Sequence, residues 1–475
     1  MEKLLKVLQF GEGNFLRAFA DVFIQKANDA GIFNGNVTII KPRKGGSLDR
    51  YLDQGLEWNV VLRGKENGQT VNRIEHVSCV SMMFSAYDDY HYFMLLARSD
   101  ELRFVISNTT EAGIVYDERD SFDSTPPETF PGKVTKFLYE RFVYFGGDRT
   151  KGLIFLPVEL IDDNGYRLRE CVLKHAEKWG LGAEFIDWVK DVCIFCSTLV
   201  DRIVSGYPED AAEICEKLGY EDKCLVAGEP YASWVIECDR DIRDELCLQD
   251  AGLPVVYTNS LADYKKRKVR ILNGAHTSFA LASYLKGNAP VGESMNDELI
   301  RRFVMRTLET EVMPTVDMPK DELESYAAAV IERFENPYIR HLLLSISLNS
   351  LSKWRTRCLP TVLDYEESFG AVPACLSFSM AALLAFYTGK DRSGNVMKGS
   401  RDGEEYTISD DLEFLEKIES VCTKGAEEYV HAVLTDERIW GMDLTEIAGF
   451  EKTVADGLSD IRENGIENAM KRVLA

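Results

Sequence analysis

Residues 6–40 read KVLQFGEGNFLRAFADVFIQKANDAGIFNGNVTII, and they indicate the class of fold. Lys6–Phe10 predicts a short buried strand, which runs into the glycine turn Gly11–Asn14. Apolar residues then recur at helical spacing over Phe15–Ala27, and a second apolar run follows at Val37–Ile40. A strand, a glycine turn, a helix and a strand in this order predict one βαβ unit of an α/β fold.

Further apolar runs extend the same sheet. Leu102–Ser107 and Leu153–Val158 are short, bounded by polar residues, and preceded by predicted helices at Tyr90–Arg98 and Val134–Phe145. Such runs are typical of parallel strands that are covered on both faces. Val255–Thr258 is predicted to be a last strand of this sheet.

After about residue 259 the pattern changes to long helical segments. We therefore predict an N-terminal Rossmann-like, dinucleotide-binding domain with a mostly parallel sheet at residues 1–258, and a mostly α-helical substrate and catalytic domain at residues 259–475. Thr388–Gly403, rich in glycine, serine and charge, is predicted to be a surface loop. The predicted helices of the second domain include Glu298–Val312, Glu322–Phe334, Tyr338–Ser350 and Leu412–Leu434.

The chain carries a net charge of -23 and has a pI of about 4.8. Such an acidic surface repels nucleic acids and anionic membranes, and an anionic substrate would need local lysine or arginine side chains. The start MEKLLKVLQF is too short and too polar for a secretory signal, and the longest apolar run, Cys375–Tyr387, is too short to span a bilayer. We therefore expect a cytoplasmic protein, whose oligomeric state the sequence leaves open.

The 11 cysteines follow no disulfide framework, so reduced thiols are expected. Cys193 and Cys196 form one C-x-x-C, which is compatible with a redox pair or with half of a zinc site. Its apolar surroundings, and the lack of a second pair, favour core cysteines and no metal site. The 6 histidines contain no H-E-x-x-H pair, which disfavours a zinc hydrolase.

The turn at Gly11 and Gly13 suits a dinucleotide, because glycines let the pyrophosphate approach the backbone at a helix N-terminus. Leu16 occupies the place of the third glycine, and a two-glycine turn also occurs in α/β folds that bind no nucleotide. No acid ends the second strand, where Lys41 and Arg43 flank a proline. These cations are compatible with the 2′-phosphate of NADP or with solvated loop charges, so NAD and NADP stay open.

Residues 263–278 read DYKKRKVRILNGAHTS and hold a candidate catalytic set. Asn273 and His276 are three residues apart and share a helix face, and the long side chain of Lys268 can reach the same side. A desolvated lysine can exchange a proton with a carbonyl oxygen, while an amide and an imidazole polarise that oxygen. The structural alternatives are a helix start whose basic side chains cover apolar surface and a histidine of the core.

The chain resembles the mannitol dehydrogenase family of polyol-specific long-chain dehydrogenases in several blocks that follow the same order. These blocks are QFGEGNFLRAF from Gln9, SNTTEAGI from Ser107, STLVDRIVSGYP from Ser197, GEPYASWVIE from Gly228, KVRILNGAHTSFA from Lys268, GESMNDE from Gly292 and ENPYIRHLLLSISLNSLSKW from Glu335. Within the family, the chain most resembles the branch that reduces tagaturonate to altronate.

The resemblance implies zinc-independent transfer of hydride between NAD(H) and a hexuronate keto group. The family signature K-x-x-x-x-N-x-x-H falls on Lys268, Asn273 and His276, and it implies that the lysine is the general acid and base. Alternatives are the fructuronate and mannonate pair, a mannitol-type polyol, and a nicotinamide-binding sensor without activity. The residues that we expect at the cofactor are Phe10, Gly11, Gly13, Asn14, Phe15, Asn108, Thr109 and Glu111.

The expected substrate contacts are less strongly specified. Polyol members of the family commonly have asparagine four residues before the aspartate of V-D-R-I, and here Ser197 precedes Asp201 at that spacing. A serine hydroxyl can still hydrogen-bond an oxygen of the substrate. A sugar-acid carboxylate needs a cation, for which Arg340, Lys353 and Arg357 are the candidates, against the alternative of a solvated helix face.

Overall fold

The computed structural model describes residues 4–475, which divide into two compact units. The first unit ends at Leu261, close to the boundary predicted after residue 258, and the segment Gly64–Gly68 groups with the second unit. Met1–Lys3, which open the start MEKLLKVLQF, lie outside the described residues.

The first part of the chain alternates strands with helices. Its elements are β1 (Leu4–Phe10), α1 (Asn14–Ala18), α2 (Ala20–Asp29), β2 (Gly35–Lys41), α3 (Asp49–Leu52), β3 (Trp58–Glu66), β4 (Gln69–Val77), β5 (Val80–Ser85), α4 (Tyr90–Leu96), β6 (Phe104–Ser107), α5 (Phe130–Tyr144), β7 (Ile154–Pro157), α6 (Asn164–Lys178), α7 (Ala183–Val192), β8 (Ile194–Phe195), β9 (Ser197–Asp201), β10 (Val204–Gly206), α8 (Ala211–Leu218), β11 (Val226–Gly228), β12 (Ser233–Glu237) and β13 (Val255–Thr258). Single 3-10 turns occur at Arg149–Lys151 and Leu248–Ala251.

Six strands form a parallel sheet in the order β5-β2-β1-β6-β7-β8. Phe10 at the end of β1 pairs with Ile40 on one side and with Ser107 on the other. The strand order therefore reverses at β1, and the carboxyl ends of β1, β6 and β7 meet at one edge. In open α/β sheets this edge is where ligands bind.

Both faces of this sheet are buried, because successive residues contribute to two separate cores. Val7 and Ile106 pack into the core that contains α2, whereas their neighbours Leu8 and Val105 pack into the core that contains α5 to α7. Burial on both sides explains why these strands read as continuous apolar runs. The predicted α/β class with a mostly parallel sheet is confirmed.

Two smaller sheets of the first unit were not predicted. One has the order β10-β11-β3-β4, and the other has the order β13-β12-β9. Val255–Thr258 is a strand as predicted, but the prediction of its sheet was wrong. It pairs in parallel with β12, whose partner on the other side is the antiparallel β9.

The second unit is mostly helical. Its elements are α9 (Ala262–Arg267), a π-helical segment at Lys268–Gly274, α10 (Ala275–Lys286), α11 (Val291–Asn296), α12 (Glu298–Arg306), a π-helical segment at Thr307–Val312, a 3-10 turn at Met313–Thr315, α13 (Lys320–Phe334), α14 (Leu343–Ile346), α15 (Ser350–Arg357), α16 (Leu359–Phe369), α17 (Ala374–Phe386), β14 (Gly389–Ser393), β15 (Val396–Arg401), β16 (Glu404–Ser409), α18 (Leu412–Val421), α19 (Ala426–Leu434), α20 (Glu437–Trp440), a 3-10 turn at Leu444–Glu446 and α21 (Phe450–Val473). The apolar α17 is buried along nearly its whole length, as a core helix should be. Across residues 4–475, no helix combines the length and apolar character needed to cross a membrane.

Three predictions in this unit were wrong. Thr388–Gly403 is no loop, since it contains β14 and β15 of an antiparallel sheet. Tyr338–Ser350 is helical only over α14, because His341 and Leu343 bond the backbone beside Pro290 in a β-bridge. The predicted helix at Leu412–Leu434 breaks between α18 and α19.

Candidate active site

The glycine turn after β1 is fixed by a close backbone approach. The N–H of Gly11 donates to the carbonyl of Ile40 at 3.0 Å, and its φ of 119° favours glycine. A Cβ at Gly11 would lie 3.0 Å from the carbonyl oxygen of Asn108, whereas a Cβ at Gly13 would meet no heavy atom within 4 Å. Gly13 precedes α1 without a side-chain cap, so the first N–H groups of the helix remain available to a ligand.

A buried carboxylate, that of Glu159, binds the loop after β6. Glu159 accepts hydrogen bonds from the N–H and the hydroxyl of Thr109, each at 2.9 Å, and from the hydroxyl of Ser107 at 3.1 Å. Burial raises the pKa of Glu159. Thr110 follows in a left-handed conformation with a φ of 80°. The backbone and the side chain of Thr109 therefore stabilise the fold, and the residues that follow it are exposed.

A cavity of about 540 Å³ opens at the carboxyl edge of the parallel sheet. Its lining is Phe15, Asn108, Thr110, Glu111, Ala112, Val158, Leu160 and Val200. Among the predicted cofactor residues, Phe15, Asn108 and Glu111 therefore line the cavity. The remaining predicted residues, Phe10, Gly11, Gly13, Asn14 and Thr109, lie on the same turn or loops outside this lining.

Ser197 lies in the interior of the first unit. It pairs with Glu237 across β9 and β12, is 0% exposed, and its hydroxyl has no hydrogen-bond partner within the described residues. Val200, on the same strand, reaches the cavity instead. In this structure Ser197 is therefore not open to a substrate.

The two cations after β2, Lys41 and Arg43, differ in their accessibility. Lys41 is buried, and its ammonium donates to the carbonyls of Gly45 and Gly46. Arg43 is exposed, and its guanidinium lies 3.3 Å from the hydroxyl of Thr110. Only the second of these two cations is thus accessible to a ligand.

The candidate catalytic helix contains a π turn where the sequence predicted regular α-helix. The chain is helical throughout 262–286, and Lys268–Gly274 has π geometry. A π-helix bonds residue i to residue i+5, so Lys268 and Asn273, five residues apart, come to the same side of the helix. Both are half-buried, as is His276 in the first turn of α10.

His276 lies in an apolar and cationic environment. Its ring stacks on Phe334 with centroids 4.1 Å apart and meets His341 edge-on at 5.4 Å. Burial, with His341, Arg333 and Arg357 nearby, holds the pKa of His276 well below its usual value. The ring is therefore neutral at pH 7, and its buried Nε2 has no hydrogen-bond partner within residues 4–475.

Arg357 brings a guanidinium to this helix. The backbone of α15 ends against the π turn, where a Cβ at Gly274 would lie 3.1 Å from the carbonyl oxygen of Arg357. The guanidinium reaches the hydroxyl of Thr277 at 3.4 Å. It is half-buried, which lowers its pKa, and no carboxylate of the described residues lies within 4 Å.

The other predicted cations differ in their environment. Lys353, one turn before Arg357, is half-buried and donates to the carbonyl of Ile346 at 2.8 Å. Burial and the neighbouring Arg357 lower its pKa. Arg340 is exposed, so it lacks the desolvation that would strengthen a contact with an anion.

Two polar residues near the predicted site residues, one in each unit, were not predicted from the sequence. Glu159 follows β7 at the carboxyl edge of the sheet, a position that could have suggested a role for this acid. His341 is one of only 6 histidines, but its segment was predicted to be helical, which concealed its contact with His276. Residues 4–475 contain no group of three histidine, cysteine or acidic side chains that could hold a metal ion.

Sequence profiles of two protein domains match nearly the whole chain. The mannitol dehydrogenase Rossmann domain matches residues 5–248, and the mannitol dehydrogenase C-terminal domain matches residues 260–462.

Relatives with assigned activities align over nearly their full length. An altronate oxidoreductase of Escherichia coli O7:K1 (strain IAI39 / ExPEC) is 42% identical over 474 residues, which cover 98% of this chain and 96% of the relative. The altronate oxidoreductase of Shigella flexneri has the same identity and coverage.

Two solved structures share the fold. D-sorbitol dehydrogenase in substrate-free form superposes with a TM-score of 0.78 at 21% identity, covering 99% of this chain and 95% of that chain. The ternary complex of Pseudomonas fluorescens mannitol 2-dehydrogenase with NAD and D-mannitol has a TM-score of 0.68 at 21% identity, with coverage of 100% and 95%.

Proposed function

Since the chain belongs to the mannitol dehydrogenase family, we propose that it is an oxidoreductase that acts on a CH–OH group of a sugar acid with a nicotinamide cofactor. The proposed substrates are tagaturonate and altronate, because altronate oxidoreductases are 42% identical over 98% of the chain. The observation that carries the sugar-acid substrate is Arg357, a half-buried guanidinium beside His276 with no carboxylate of the described residues within 4 Å.

The first unit fits a dinucleotide. Gly11 permits the close approach of the Asn108 loop, and Gly13 leaves the start of α1 open to a phosphate. Phe15, Asn108 and Glu111 line a cavity at the edge of the sheet where such ligands bind. When bound, nicotinamide supplies a hydride to the carbonyl carbon. We favour NAD over NADP, since Lys41 is engaged by its own loop and leaves Arg43 as the one accessible cation of this pair.

In the proposed reduction, Lys268 donates a proton to the oxygen that becomes the new hydroxyl, so no zinc ion is needed. Asn273, five residues further on the π turn, donates a hydrogen bond from its amide to the same oxygen. The neutral ring of His276 offers one N–H donor without adding a competing acid. In the reverse direction Lys268 accepts the proton.

Arg357 is proposed to hold the carboxylate of the substrate. A planar guanidinium binds a carboxylate through two parallel hydrogen bonds, and partial burial strengthens this pairing. Lys353 lies one turn away on α15 and adds positive charge. This arrangement explains how a chain with a net charge of -23 can bind an anion.

The test follows the oxidation of NADH, and separately of NADPH, with tagaturonate, fructuronate and fructose. It uses the wild type, Lys268→Ala and the matched control Lys266→Ala. Lys266 lies on the preceding helix α9, where it forms an ion pair with Asp364 at 3.1 Å. Turnover of tagaturonate with NADH that is lost in Lys268→Ala and kept in Lys266→Ala supports the proposal.

The other outcomes distinguish the alternatives. Turnover of fructuronate or fructose alone keeps the chemistry and replaces the substrate, and a preference for NADPH replaces the cofactor. Cofactor binding without turnover of any ketone would overturn the enzymatic proposal in favour of a sensor. Equal losses in Lys268→Ala and Lys266→Ala would remove the special role of Lys268.

A further inference from the structure

Two cysteines of the first unit lie next to the paired ends of adjacent strands. Ser197 on β9 pairs with Glu237 on the antiparallel β12, and Cys196 and Cys238 are the next residues beyond this last pair. Their thiols lie close enough for each to be the largest influence on the pKa of the other. Opposite residues of an antiparallel pair have Cα atoms about 4.5–5.5 Å apart, which lies within the roughly 4.4–6.8 Å that a disulfide spans.

The two thiols differ in their access to solvent. Cys196 is 0% exposed, and its N–H donates to the carbonyl of Phe155 at 3.0 Å. Gly165 packs directly on its carbonyl, so this backbone is held on both sides. Cys238 is half-buried and lines a cavity of about 510 Å³ together with Ile236, residues 239–243 and residues 257–259. A small solute can therefore reach Cys238 and not Cys196.

The two thiols also differ in their acidity. The hydrogen bond from Cys196, the backbone N–H of Arg240 and the charge of Arg240 stabilise the Cys238 thiolate and lower the pKa of Cys238. The same hydrogen bond and burial raise the pKa of Cys196. A reactive thiolate beside a buried neutral thiol is the arrangement of a redox-sensitive pair.

We propose that Cys196 and Cys238 form a hydroperoxide-sensitive pair, in which Cys238 reacts first and Cys196 closes a disulfide. The Cys238 thiolate attacks one oxygen of the hydroperoxide. An S–O bond forms, the O–O bond breaks, and the departing alkoxide, or hydroxide when the oxidant is hydrogen peroxide, takes up a proton and leaves as an alcohol or as water. The sulfur of Cys196 then attacks the resulting sulfenic acid. An S–S bond forms, and hydroxide leaves with the proton of Cys196 as water.

In this two-electron exchange both thiols are oxidised and the hydroperoxide is reduced. The partner of Cys196 is thus Cys238 and not Cys193, the other residue of the C-x-x-C. Cys193 is fully buried, and burial raises its pKa to about 12. The new bond would join β12 to the start of β9, the strand whose Val200 lines the candidate cofactor cavity.

The experiment exposes the full-length protein to limiting hydrogen peroxide at pH 7, alkylates the remaining thiols and maps the peptides by mass spectrometry. The wild type should form the Cys196–Cys238 disulfide. Cys196→Ser should stop at a sulfenic acid on Cys238 that dimedone captures, and Cys238→Ser should keep Cys196 reduced. Cys193→Ser should behave as the wild type does.

The half-buried Cys247 provides an internal reference for reactivity. Because Arg240 and the neighbouring thiol stabilise the Cys238 thiolate, Cys238 should react with hydrogen peroxide faster than Cys247. Slower reaction of Cys238 than of Cys247, or a disulfide from Cys196 to Cys193, would overturn the proposal. The wild-type peptide map decides this even if a serine variant fails to fold.

Discussion

Two π-helical turns of the second unit share a backbone geometry and differ in what their polar side chains contact. In Thr307–Val312, Glu311 is buried and accepts hydrogen bonds from the N–H groups of Cys375 at 2.6 Å and Leu376 at 2.9 Å. It thereby satisfies the start of α17, the central buried helix. The carboxylate of Glu311 therefore has a structural role.

The turn Lys268–Gly274 divides its polar residues between two roles. Arg270 is buried and binds Asp364 at 2.9 Å and the hydroxyl of Thr361 at 3.1 Å, so it serves the fold as Glu311 does. Asn273 is half-buried, and its amide makes no hydrogen bond within the described residues. A π turn is therefore not a sign of chemistry by itself, and the contacts of its polar groups distinguish a structural turn from a candidate catalytic one.

The largest expected effect separates the two turns by activity. Lys268→Ala should lower kcat/KM by about 10²- to 10⁴-fold, because a positioned general acid contributes this much. Glu311→Gln should leave kcat/KM unchanged. Steady-state kinetics on both purified variants checks this contrast, and comparable losses in the two variants would contradict it.

The second prediction concerns Arg357, the cation beside the turn Lys268–Gly274. Arg357→Met should lower kcat/KM for a sugar acid by about 10- to 100-fold, because it removes charged hydrogen bonds worth about 1.5–3 kcal/mol. Turnover of an uncharged ketose should change far less. Arg355→Met is the matched control, since Arg355 is exposed on the same helix. Equal losses with charged and uncharged substrates would argue against carboxylate binding.

The third prediction reverses the contrast by measuring stability. Glu311→Gln should cost about 1–3 kcal/mol in the free energy of unfolding, because one buried N–H of α17 loses its acceptor. Glu309→Gln, exposed on the same turn, is the control. Urea unfolding measures both variants. Burial raises the pKa of Glu311, so the wild type should also lose stability relative to Glu311→Gln as pH rises from about 4.3 through that raised value.

The smallest effect concerns His276. The pKa of His276 is lowered in the folded protein. As pH falls below about 6.5, the unfolded chain therefore binds a proton at this residue that the folded chain does not bind. Stability of the wild type should therefore fall relative to His276→Asn by at most about 1.4 kcal/mol per pH unit below this pH. Urea unfolding at pH 7 and pH 5 tests this. Parallel stability curves would mean that His276 is protonated normally.

Much of the first unit was predictable, because its parallel strands are buried on both faces and stand out as apolar runs between glycine turns and helices. The order strand, helix, strand followed from residues 6–40, and so did the position of the candidate cofactor turn, but the predicted single helix is divided into α1 and α2 at Phe19. The sheet that Val255–Thr258 joins did not, since pairing with β12 depends on contacts between distant segments. Exposed strands such as β14 and β15 lack an apolar run and resemble loops in sequence.

The sequence alone determined the class of fold, the candidate residues Lys268, Asn273 and His276, and the need for a local cation in an acidic chain. How these residues are used depends on contacts that the tertiary structure makes. The fold aligned Lys268 with Asn273 through a π turn, buried Ser197, left Arg357 without a carboxylate partner among the described residues, and brought the thiol of Cys196 close to that of Cys238. Residue type and spacing specify local geometry, but burial and pairing depend on segments far apart in the chain, and these set the charge and reactivity of a side chain.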